Sequence, residues 1–433
     1  MSRDVTLIRA TIRMTDRWAV GKFALAGSEI DLPVVVDPRS PTAVGHRPFV
    51  PGGSLGGSLR RHLGDDGERF LGPEPPEWEV SSTAPRQASP LAIRGTVVME
   101  GLEISTRSAT SINAASGAAL DRTKRTEQYF SPGRFVVAMD MSGRAPADLG
   151  AKLASWRPQL GRGRSTGLGA GVVESVELLE LDLADAAQLT WWLTSRNDWY
   201  AGAAEPPHAP VVELNEGSDA ADDLVITLKI IEPVHVGNDD NDTQADGRRA
   251  IGVLRQGGRV LVPGSSWKGI FRHRAQTILN LVASPEQSDA VAVILDAAFG
   301  SSSKGRGLLS FRDSLAAKGA AEITRTHIAI DRFTGGVIDG GLYRVTALDA
   351  GAQVELRIQG AGKPTSPVGN LVRHVARDLH DGLVSVGGMG TRGYGRVAVV
   401  NGALLEGLDP IDVPALLASV PASETKGEAD GRP

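Results

Sequence analysis

The chain has 433 residues, a formal net charge of −5 at pH 7 and no cysteine. The length suits two to three domains of ordinary size, and a hydrophobic fraction of 41% allows each of them to bury a core. The lack of cysteine excludes disulfides and thiolate metal sites, and no apolar run approaches a membrane span, so we expect a cytoplasmic protein without membrane segments.

In the first half, alternating apolar residues predict a strand over residues 5–14. A Pro-Gly motif then opens a helix with the sequence PGGSLGGSLRR at 51–61. After a β-rich insert, the pattern indicates a helix near 147–157, the glycine-rich loop GRGRSTGLG at 161–169 and a strand over 171–178.

The second half follows the same order. A strand is predicted over residues 224–231, and a second Pro-Gly motif reads PGSSWKGIFR at 263–272. After another β-rich insert come a helix near 367–381, the loop GGMGTRGYG at 387–395 and a strand over 396–400.

The spacing of shared residues indicates a duplication. Five residues of the Pro-Gly motif recur 212 positions later, as Pro51 does at Pro263. Four residues of the insert recur 218 positions later, as Ile112 does at Ile330, and three loop glycines recur 226 positions later. Paired motifs repeated in one order predict two copies of one domain, with small insertions in the second copy.

These patterns predict an α+β protein with two ferredoxin-like domains, at residues 1–200 and 224–421. Residues 201–223 are rich in alanine, proline and acids and are predicted to be a linker, and residues 422–433 a disordered tail. We expect the aromatic residues before the linker to pack on the first domain; they are Trp191, Trp192, Trp199 and Tyr200.

Both motifs are suited to binding phosphate. A helix that begins at Pro-Gly-[Gly/Ser]-Ser offers free backbone N–H groups and a capping hydroxyl, and a glycine-rich loop can form an anion-binding nest. The candidate contacts are Gly52, Gly53, Ser54, Arg60, Arg61, Arg162, Arg164, Ser165, Thr166, Ser265, Ser266, Lys268, Arg272, Thr391, Arg392 and Tyr394. The alternatives are an ordinary capped helix with solvated arginines and a Tyr394 that packs rather than stacks on a base.

The combination of Pro-Gly-Ser-Ser-x-x-Gly-x-x-Arg and Gly-x-Gly-[Ser/Thr]-x-Gly-x-Gly resembles the RAMP superfamily of CRISPR-associated proteins. More narrowly, it resembles the backbone subunit of type III effector complexes, and the tandem arrangement resembles the fused subunits of type III-D systems. The resemblance implies RRM-like domains, each with a β-rich thumb insertion and a C-terminal glycine-rich loop. It also implies a role in antiviral defence, with guide RNA, complementary target RNA and other effector subunits as partners.

The resemblance also implies a cleavage site. The sequence DLPVVVDP at 31–38 matches the family pattern whose first aspartate is needed for target RNA cleavage, so Asp31 is the expected catalytic and metal-binding residue. The cation would be Mg²⁺ or Mn²⁺, since a loop carboxylate can hold a divalent cation against the scissile phosphate. The alternative is that Asp31 is a turn residue before Pro33.

The second copy lacks this pattern. Asp246 lies at a similar distance before its Pro-Gly motif and is the candidate for a second catalytic site. Asp239, Asp240 and Asp242 are weaker candidates, and His235 is expected to be structural.

The inserts correspond to the thumb of the family, a β-hairpin that wedges between bases of the guide–target duplex. The expected tip segments are residues 120–125 and 330–334, with Arg122, Lys124, Arg125 and Arg332 as RNA contacts. A charged, solvent-exposed turn is the alternative for the first segment.

Three other functions stay open at this point. The first is a guide-RNA scaffold that does not cut, and the second is a metal-independent RAMP endonuclease that processes precursor guide RNA, for which His46 and His62 are the nearest bases. The third is a phosphate-binding enzyme without nucleic acid, which the missing P-loop lysine and the duplication disfavour.

Overall fold

The computed structural model describes residues 3–21, 28–42, 45–73, 88–113, 120–214, 223–243, 249–301 and 304–421. The chain forms two compact units. The first unit contains Met1–Ala109, Lys124–Arg164 and Leu168–Asp219. The second unit contains Thr110–Thr123, Ser165–Gly167 and Ala220–Pro433. The domain boundaries expected from the sequence stay a prediction, and the predicted tail lies outside the described residues.

The first unit is built around one antiparallel sheet. Its strands are β1 (Asp4–Met14), β2 (Val36–Thr42), β3 (Gly45–Pro48), β4 (Leu91–Glu100), β5 (Ile104–Ala109), β6 (Arg125–Phe130), β7 (Gly133–Ser142), β8 (Gly171–Asp182) and β9 (Val211–Leu214). Its helices are α1 (Gly52–Leu63), α2 (Gly67–Leu71), α3 (Leu149–Ala154) and α4 (Ala186–Tyr200). The sheet order is β4-β7-β1-β8-β9, while β2-β3 and β5-β6 form separate hairpins.

The second unit is a mixed α/β body. Its strands are β10 (Leu224–Ile230), β11 (Gly237–Thr243), β12 (Arg249–Val253), β13 (Arg255–Gln256), β14 (Arg259–Val262), β15 (Gly300–Ser301), β16 (Gly305–Arg306), β17 (Ser310–Phe311), β18 (Ser314–Leu315), β19 (Glu322–Ile330), β20 (Val337–Leu348), β21 (Gln353–Gln359) and β22 (Val397–Val399). Its helices are α5 (Gly264–Val282), α6 (Ser288–Phe299), α7 (Pro367–His380) and α8 (Val413–Ser419). One sheet has the order β17-β21-β10-β22, and a second has the order β11-β12-β20-β19.

Both units are compatible with a ferredoxin-like βαββαβ core. In the first unit the core elements are β1, α1, β4, β7, α3 and β8, and the strands lie in the order β4-β7-β1-β8. In the second unit β10, α5, β17, β21, α7 and β22 give the order β17-β21-β10-β22. Numbered within the core, both sheets have the strand order 2-3-1-4, which is the ferredoxin-like arrangement.

The sheet of the first unit is covered on both faces. The main core lies between the sheet and helices α1 and α3, because apolar residues alternate along the strands. On the other face, Trp199 and Tyr200 of α4 are buried, and the Tyr200 hydroxyl donates to the Met139 carbonyl at 2.7 Å. The expected packing of the aromatic residues before the linker is therefore confirmed for these two.

In the second unit, α5 and α7 pack on the sheet through their apolar faces. Trp267, Phe271, Ala275 and Leu279 recur at helical spacing along α5, and all four are fully buried. No helix in the described part of the chain is long and apolar enough to cross a membrane.

The glycine of each Pro-Gly motif lets a helix start approach the second core strand. A Cβ atom at Gly52 would lie 2.0 Å from the Ile93 carbonyl oxygen of β4. A Cβ at Gly264 would lie 1.9 Å from the Phe311 carbonyl oxygen of β17. Because both units make the same contact, packing explains why glycine occupies this position.

We predict that alanine at Gly52 and at Gly57 has opposite effects on stability. Gly52→Ala should lower the free energy of unfolding by about 1–3 kcal/mol, because the new methyl group overlaps the Ile93 carbonyl. Gly57 lies in the same helix with no atom within 4 Å of its Cβ position, so Gly57→Ala should raise stability by up to about 1 kcal/mol. Urea denaturation of both variants checks this, and equal effects would contradict the packing role.

Candidate functional site

The two glycine-rich loops have the same backbone conformation. Positive φ angles occur at 74°, 73°, 75° and 82° in the first loop, at Gly161, Gly163, Gly167 and Gly169. They occur at 82°, 64°, 75° and 89° in the second loop, at Gly387, Met389, Gly393 and Gly395. Because L-residues seldom adopt positive φ, Met389 is the one strained position in this set.

Each loop is fixed to the segment that follows the first core strand. The Arg162 N–H donates to the Ala19 carbonyl at 3.1 Å, and the Gly388 N–H donates to the His235 carbonyl at 2.8 Å. A Cβ at Gly161 would lie 1.9 Å from the Ala19 oxygen, so this glycine is required for the close approach. The arrangement places each loop beside the base of its insert.

Asp31 lies at the base of the first insert. Its carboxylate oxygen Oδ2 accepts a hydrogen bond from the Thr126 N–H at 2.7 Å, and its own N–H donates to the Thr126 carbonyl at 3.0 Å. Asp31 is exposed, while the following Leu32 pairs with Glu127 of β6. The backbone pairing thus holds an accessible carboxylate in a defined orientation.

Arg162 fixes the same corner from the glycine-rich loop. Its Nη2 donates to the Leu32 carbonyl at 2.8 Å and to the Gln128 carbonyl at 2.6 Å. Burial lowers the pKa of Arg162 below its ordinary value, yet a guanidinium stays charged at neutral pH. Arg162 therefore holds the strand behind Asp31, with its guanidinium engaged by protein carbonyls.

Asp31 can serve as the protein ligand of a hydrated cation. A carboxylate offers about four lone-pair positions, and one N–H donor leaves others for a cation. Mg²⁺ commonly uses one or two carboxylates together with waters and substrate phosphates, so this donor set fits. Within the described ranges, no group of three His, Asp or Glu side chains comes together as a complete metal site.

The second unit has the same backbone pattern at the base of its insert. Trp18 and Phe130 form an isolated bridge in the first unit, and Val234 and Leu348 form the same bridge in the second. Leu32 pairs in parallel with Glu127, and Ile251 pairs in parallel with Val345. The residue numbers of Phe130 and Leu348 differ by 218, as do those of Glu127 and Val345. This is the spacing that the sequence gives for the inserts.

This register identifies the position equivalent to Asp31. The residue before Ile251 is Ala250, which is 2% exposed and carries no carboxylate. Asp246 lies outside the described residues, as do the side chains of Asp239, Asp240 and Asp242. At the position equivalent to Arg162 the second loop has Gly388.

His235 replaces the function of Arg162 in the second unit. The Gln128 carbonyl is equivalent to the Thr346 carbonyl, and the latter accepts a 2.7 Å hydrogen bond from His235 Nδ1. His235 is 5% exposed, and a buried carbonyl needs a donor. This position supports the expected structural role of His235.

The helix starts carry fewer free groups than the sequence suggests. Neither α1 nor α5 has a side-chain cap, because the cap residues are Pro51 and Pro263. The prediction of a capping hydroxyl at these helix starts is therefore wrong. The Gly264 N–H donates to Asp313 Oδ1 at 2.8 Å, so a protein carboxylate already lies at the start of α5.

Several basic candidates on these helices bind protein groups. Arg60 donates to the Gly72 and Leu71 carbonyls at 2.8 and 2.9 Å, and Arg272 donates to the Gly300 carbonyl at 2.7 Å and to Asp296 at 3.0 Å. Burial, with a smaller effect of Arg272, lowers the pKa of Lys268, whose Nζ donates to Ser165 Oγ in the same unit at 3.0 Å. Among the helix-start candidates, the exposed residues are Gly53, Arg61 and Ser265, whereas Gly52, Ser54 and Ser266 are partly buried.

The loop and insert candidates differ in exposure. Arg164, Ser165 and Thr166 are partly buried, and Thr391 and Arg392 are exposed. The Tyr394 ring is 1% exposed, which fits the packing alternative. The thumb candidates are all exposed: Arg122, Lys124, Arg125 and Arg332. Arg125 forms an ion pair with Glu127.

The predicted tip of the second insert is the turn of a long hairpin. Strands β19 and β20 pair over most of their length, and Phe333 at the turn is 93% exposed. His62, one of the bases considered for metal-independent cleavage, lies with Nε2 3.2 Å from the Lys152 carbonyl. The side chain of His46 lies outside the described residues.

One cluster was missed by the sequence interpretation. His327, Tyr343 and Arg325 lie next to the second glycine-rich loop, on strands β19 and β20. The period of two along β19, which places residues 325 and 327 on one face, is the signal that could have indicated it.

We predict that His235 gives the protein a measurable pH dependence of stability. Burial lowers the pKa of His235 below its ordinary value of 6.5, against the smaller opposing effect of the Thr346 hydrogen bond. The unfolded chain therefore binds this proton more readily, so the free energy of unfolding should fall as pH drops below about 6.5. In His235→Gln this contribution should vanish, which urea denaturation across about pH 5 to 8 measures.

The control for this comparison is His208→Gln, because His208 is exposed. Its curve of stability against pH should follow that of the wild type. Parallel curves for the wild type and His235→Gln would contradict the prediction.

Comparison with protein families matches the second half of the chain. The RAMP superfamily matches residues 227–398, a range that contains the second Pro-Gly motif, the β19-β20 hairpin and the second glycine-rich loop. No curated protein matches the chain. Residues 227–398 are thus similar to the RAMP superfamily, which supports a CRISPR-associated, RNA-binding protein.

Proposed function

We propose that this chain is a two-domain RAMP backbone subunit of a type III CRISPR effector complex, of the fused type III-D kind. It binds guide RNA together with other effector subunits and cuts the paired target RNA through Asp31 and a divalent cation. The observation that carries the proposal is the corner formed by Asp31, Thr126 and Arg162.

This corner joins three segments that are far apart in the sequence. The family resemblance links the Asp31 loop and the thumb insert to RNA, and the glycine-rich loop is suited to phosphate by its own residues. Hydrogen bonds from Thr126 and Arg162 bring them together within one unit. An exposed carboxylate therefore lies beside two segments suited to RNA.

The residues have distinct roles in the proposed cleavage. The Thr126 N–H orients the Asp31 carboxylate, and Arg162 fixes the backbone behind it through the Leu32 carbonyl. Arg125, the residue before Thr126, is exposed and forms an ion pair with Glu127. A bound Mg²⁺ or Mn²⁺ would neutralise charge on the scissile phosphate. The RNA supplies the nucleophile, since the neighbouring 2′-hydroxyl attacks phosphorus and the 5′-oxygen leaves.

The two units support different parts of this function. The first unit has Asp31 and Arg162, whereas the equivalent positions in the second unit are Ala250 and Gly388. The second unit keeps the same loop conformation and a longer exposed hairpin. We therefore assign cutting to the first unit and RNA binding to both.

Guide recognition would depend on shape and charge. The exposed Arg61, Arg122, Lys124 and Arg332 can pair with phosphates, while base pairing between guide and target supplies the sequence information. Apolar side chains at the hairpin turn, such as Phe333, can separate adjacent bases of the duplex.

We predict that Asp31→Asn abolishes cleavage without loss of RNA binding. Asparagine keeps an oxygen for the Thr126 N–H but removes the charge that would bind the cation, so cleavage should fall by at least about 100-fold, in line with the loss of a preorganised charged group. The assay uses the complex purified with its guide and a labelled complementary RNA in Mg²⁺. Guide content and target affinity should remain within about twofold of the wild type.

The matched control is Glu29→Gln, which removes an exposed carboxylate two residues away. It should cut at the wild-type rate. If all cuts persist in Asp31→Asn, Asp31 is not the catalytic residue. A wild-type complex that binds the target RNA without cutting it would instead favour the scaffold alternative. Cleavage that persists in chelator would instead favour the metal-independent alternative.

A further inference from the structure

The second unit carries an aromatic and basic cluster beside its glycine-rich loop. His327 of β19 lies opposite Tyr343 of β20, with ring centroids 5.3 Å apart and ring planes at 19°. The Tyr394 hydroxyl lies 2.8 Å from His327 Nε2. The Arg392 guanidinium donates to the Tyr343 hydroxyl at 2.7 Å, so one network joins the loop to the hairpin.

Two cations in this cluster form no ion pair with an acid in the described part of the chain. The Arg325 guanidinium lies 5.4 Å from the centre of the Tyr394 ring, and that of Arg392 lies 6.0 Å from the centre of the Tyr343 ring. Both arginines are exposed, and neither forms an ion pair with any described carboxylate. Two exposed positive charges in one cluster, without ion-pair partners among the described carboxylates, favour an anionic ligand.

The rings add a surface for a base. Tyr343 and His327 are partly exposed, whereas Tyr394 is buried beneath them at 1% exposure. Tyr394 therefore supports the His327 ring through its hydroxyl and its ring face, and His327 in turn stacks on Tyr343. A tyrosine ring held in place beside arginine is suited to stacking on a nucleobase, since every base has a π face.

The equivalent corner of the first unit has a different chemistry. In β5 and β6, Ala109 and Arg125 form the pair that corresponds to His327 and Tyr343. In the first glycine-rich loop, Leu168 and Thr166 occupy the positions of Tyr394 and Arg392. Conversely, Ala250 of the second unit occupies the position of Asp31. One backbone arrangement thus carries a carboxylate in the first unit and aromatic and basic side chains in the second.

We propose that His327, Tyr343, Arg325 and Arg392 form a nucleotide-binding subsite of the second unit. The subsite takes one unstacked RNA nucleotide, with its base against the Tyr343–His327 pair and its phosphate on the two guanidinium groups. The inference rests on the proposed RNA-binding function and adds a site that uses no carboxylate and no metal. It explains why the second unit keeps the loop and hairpin geometry without Asp31.

The test is photo-crosslinking of the full-length chain to a 5-iodouridine-substituted single-stranded RNA of roughly 20 nucleotides, the length of a guide segment. The adducts are mapped by peptide sequencing. The crosslink should map to Tyr343 or His327. Affinity for the same RNA should fall about tenfold in Tyr343→Leu combined with Arg392→Gln, because the stacking surface and one phosphate contact are both lost.

The matched control is Arg357→Gln on β21 of the same unit. Arg357 is also exposed but forms an ion pair with Glu355 at 2.5 Å. It should change RNA affinity by less than about twofold. Thermal unfolding of each variant separates loss of the fold from loss of the site.

The outcomes distinguish the two proposals. Crosslinks that map elsewhere, with unchanged affinity in the double variant, would overturn the subsite while the RNA-binding function stands. A folded wild-type chain that binds no RNA would overturn both. If the double variant loses all binding and also has a lowered melting temperature, the single variant Arg392→Gln decides the question. Arg392 is exposed, so its single replacement must still weaken RNA binding if the subsite exists.

Discussion

The close approach of each glycine-rich loop to the segment after the first core strand is the constraint on which the candidate site depends. In both units a glycine lies against a carbonyl oxygen where a Cβ atom would overlap it, at Gly161 with Ala19 and at Gly387 with His235. This contact fixes the loop beside the base of the insert. The insert strand in turn pairs in parallel with a short segment of the chain and holds the residue just before that pair. In the first unit this residue is Asp31.

Within this common arrangement, one buried carbonyl is satisfied in two ways. Arg162 donates to the Gln128 carbonyl in the first unit, and His235 donates to the Thr346 carbonyl in the second. Because unpaired buried carbonyls are costly, a change of the loop residue from arginine to glycine requires another donor nearby. The units therefore diverge in side chains while their hydrogen-bond patterns stay alike. That divergence separates a carboxylate corner from an aromatic and basic one.

Some glycines that suggest phosphate binding in the sequence are needed for packing. Gly52 and Gly264 let a helix start approach a core strand, and Arg60 and Arg272 donate to backbone carbonyls near their own helices. A residue pattern can thus occur in both units because the fold needs it. The exposed side chains around the loops and hairpins are better candidates for RNA contacts than the repeated motif residues themselves.

The sequence alone determined the order of the core elements in each half, the positions of the two Pro-Gly helices and glycine-rich loops, and the spacing of 218 between the inserts. These features depend on local periodicity and on backbone conformations that require glycine or proline. Only the tertiary structure decided which distant residues meet. Asp31 joins Thr126 and Arg162, and Ala250 rather than an aspartate takes the equivalent place, through pairing of strands far apart in the chain. Linear distance to a motif cannot give this register, since loops of different length separate the same paired strands.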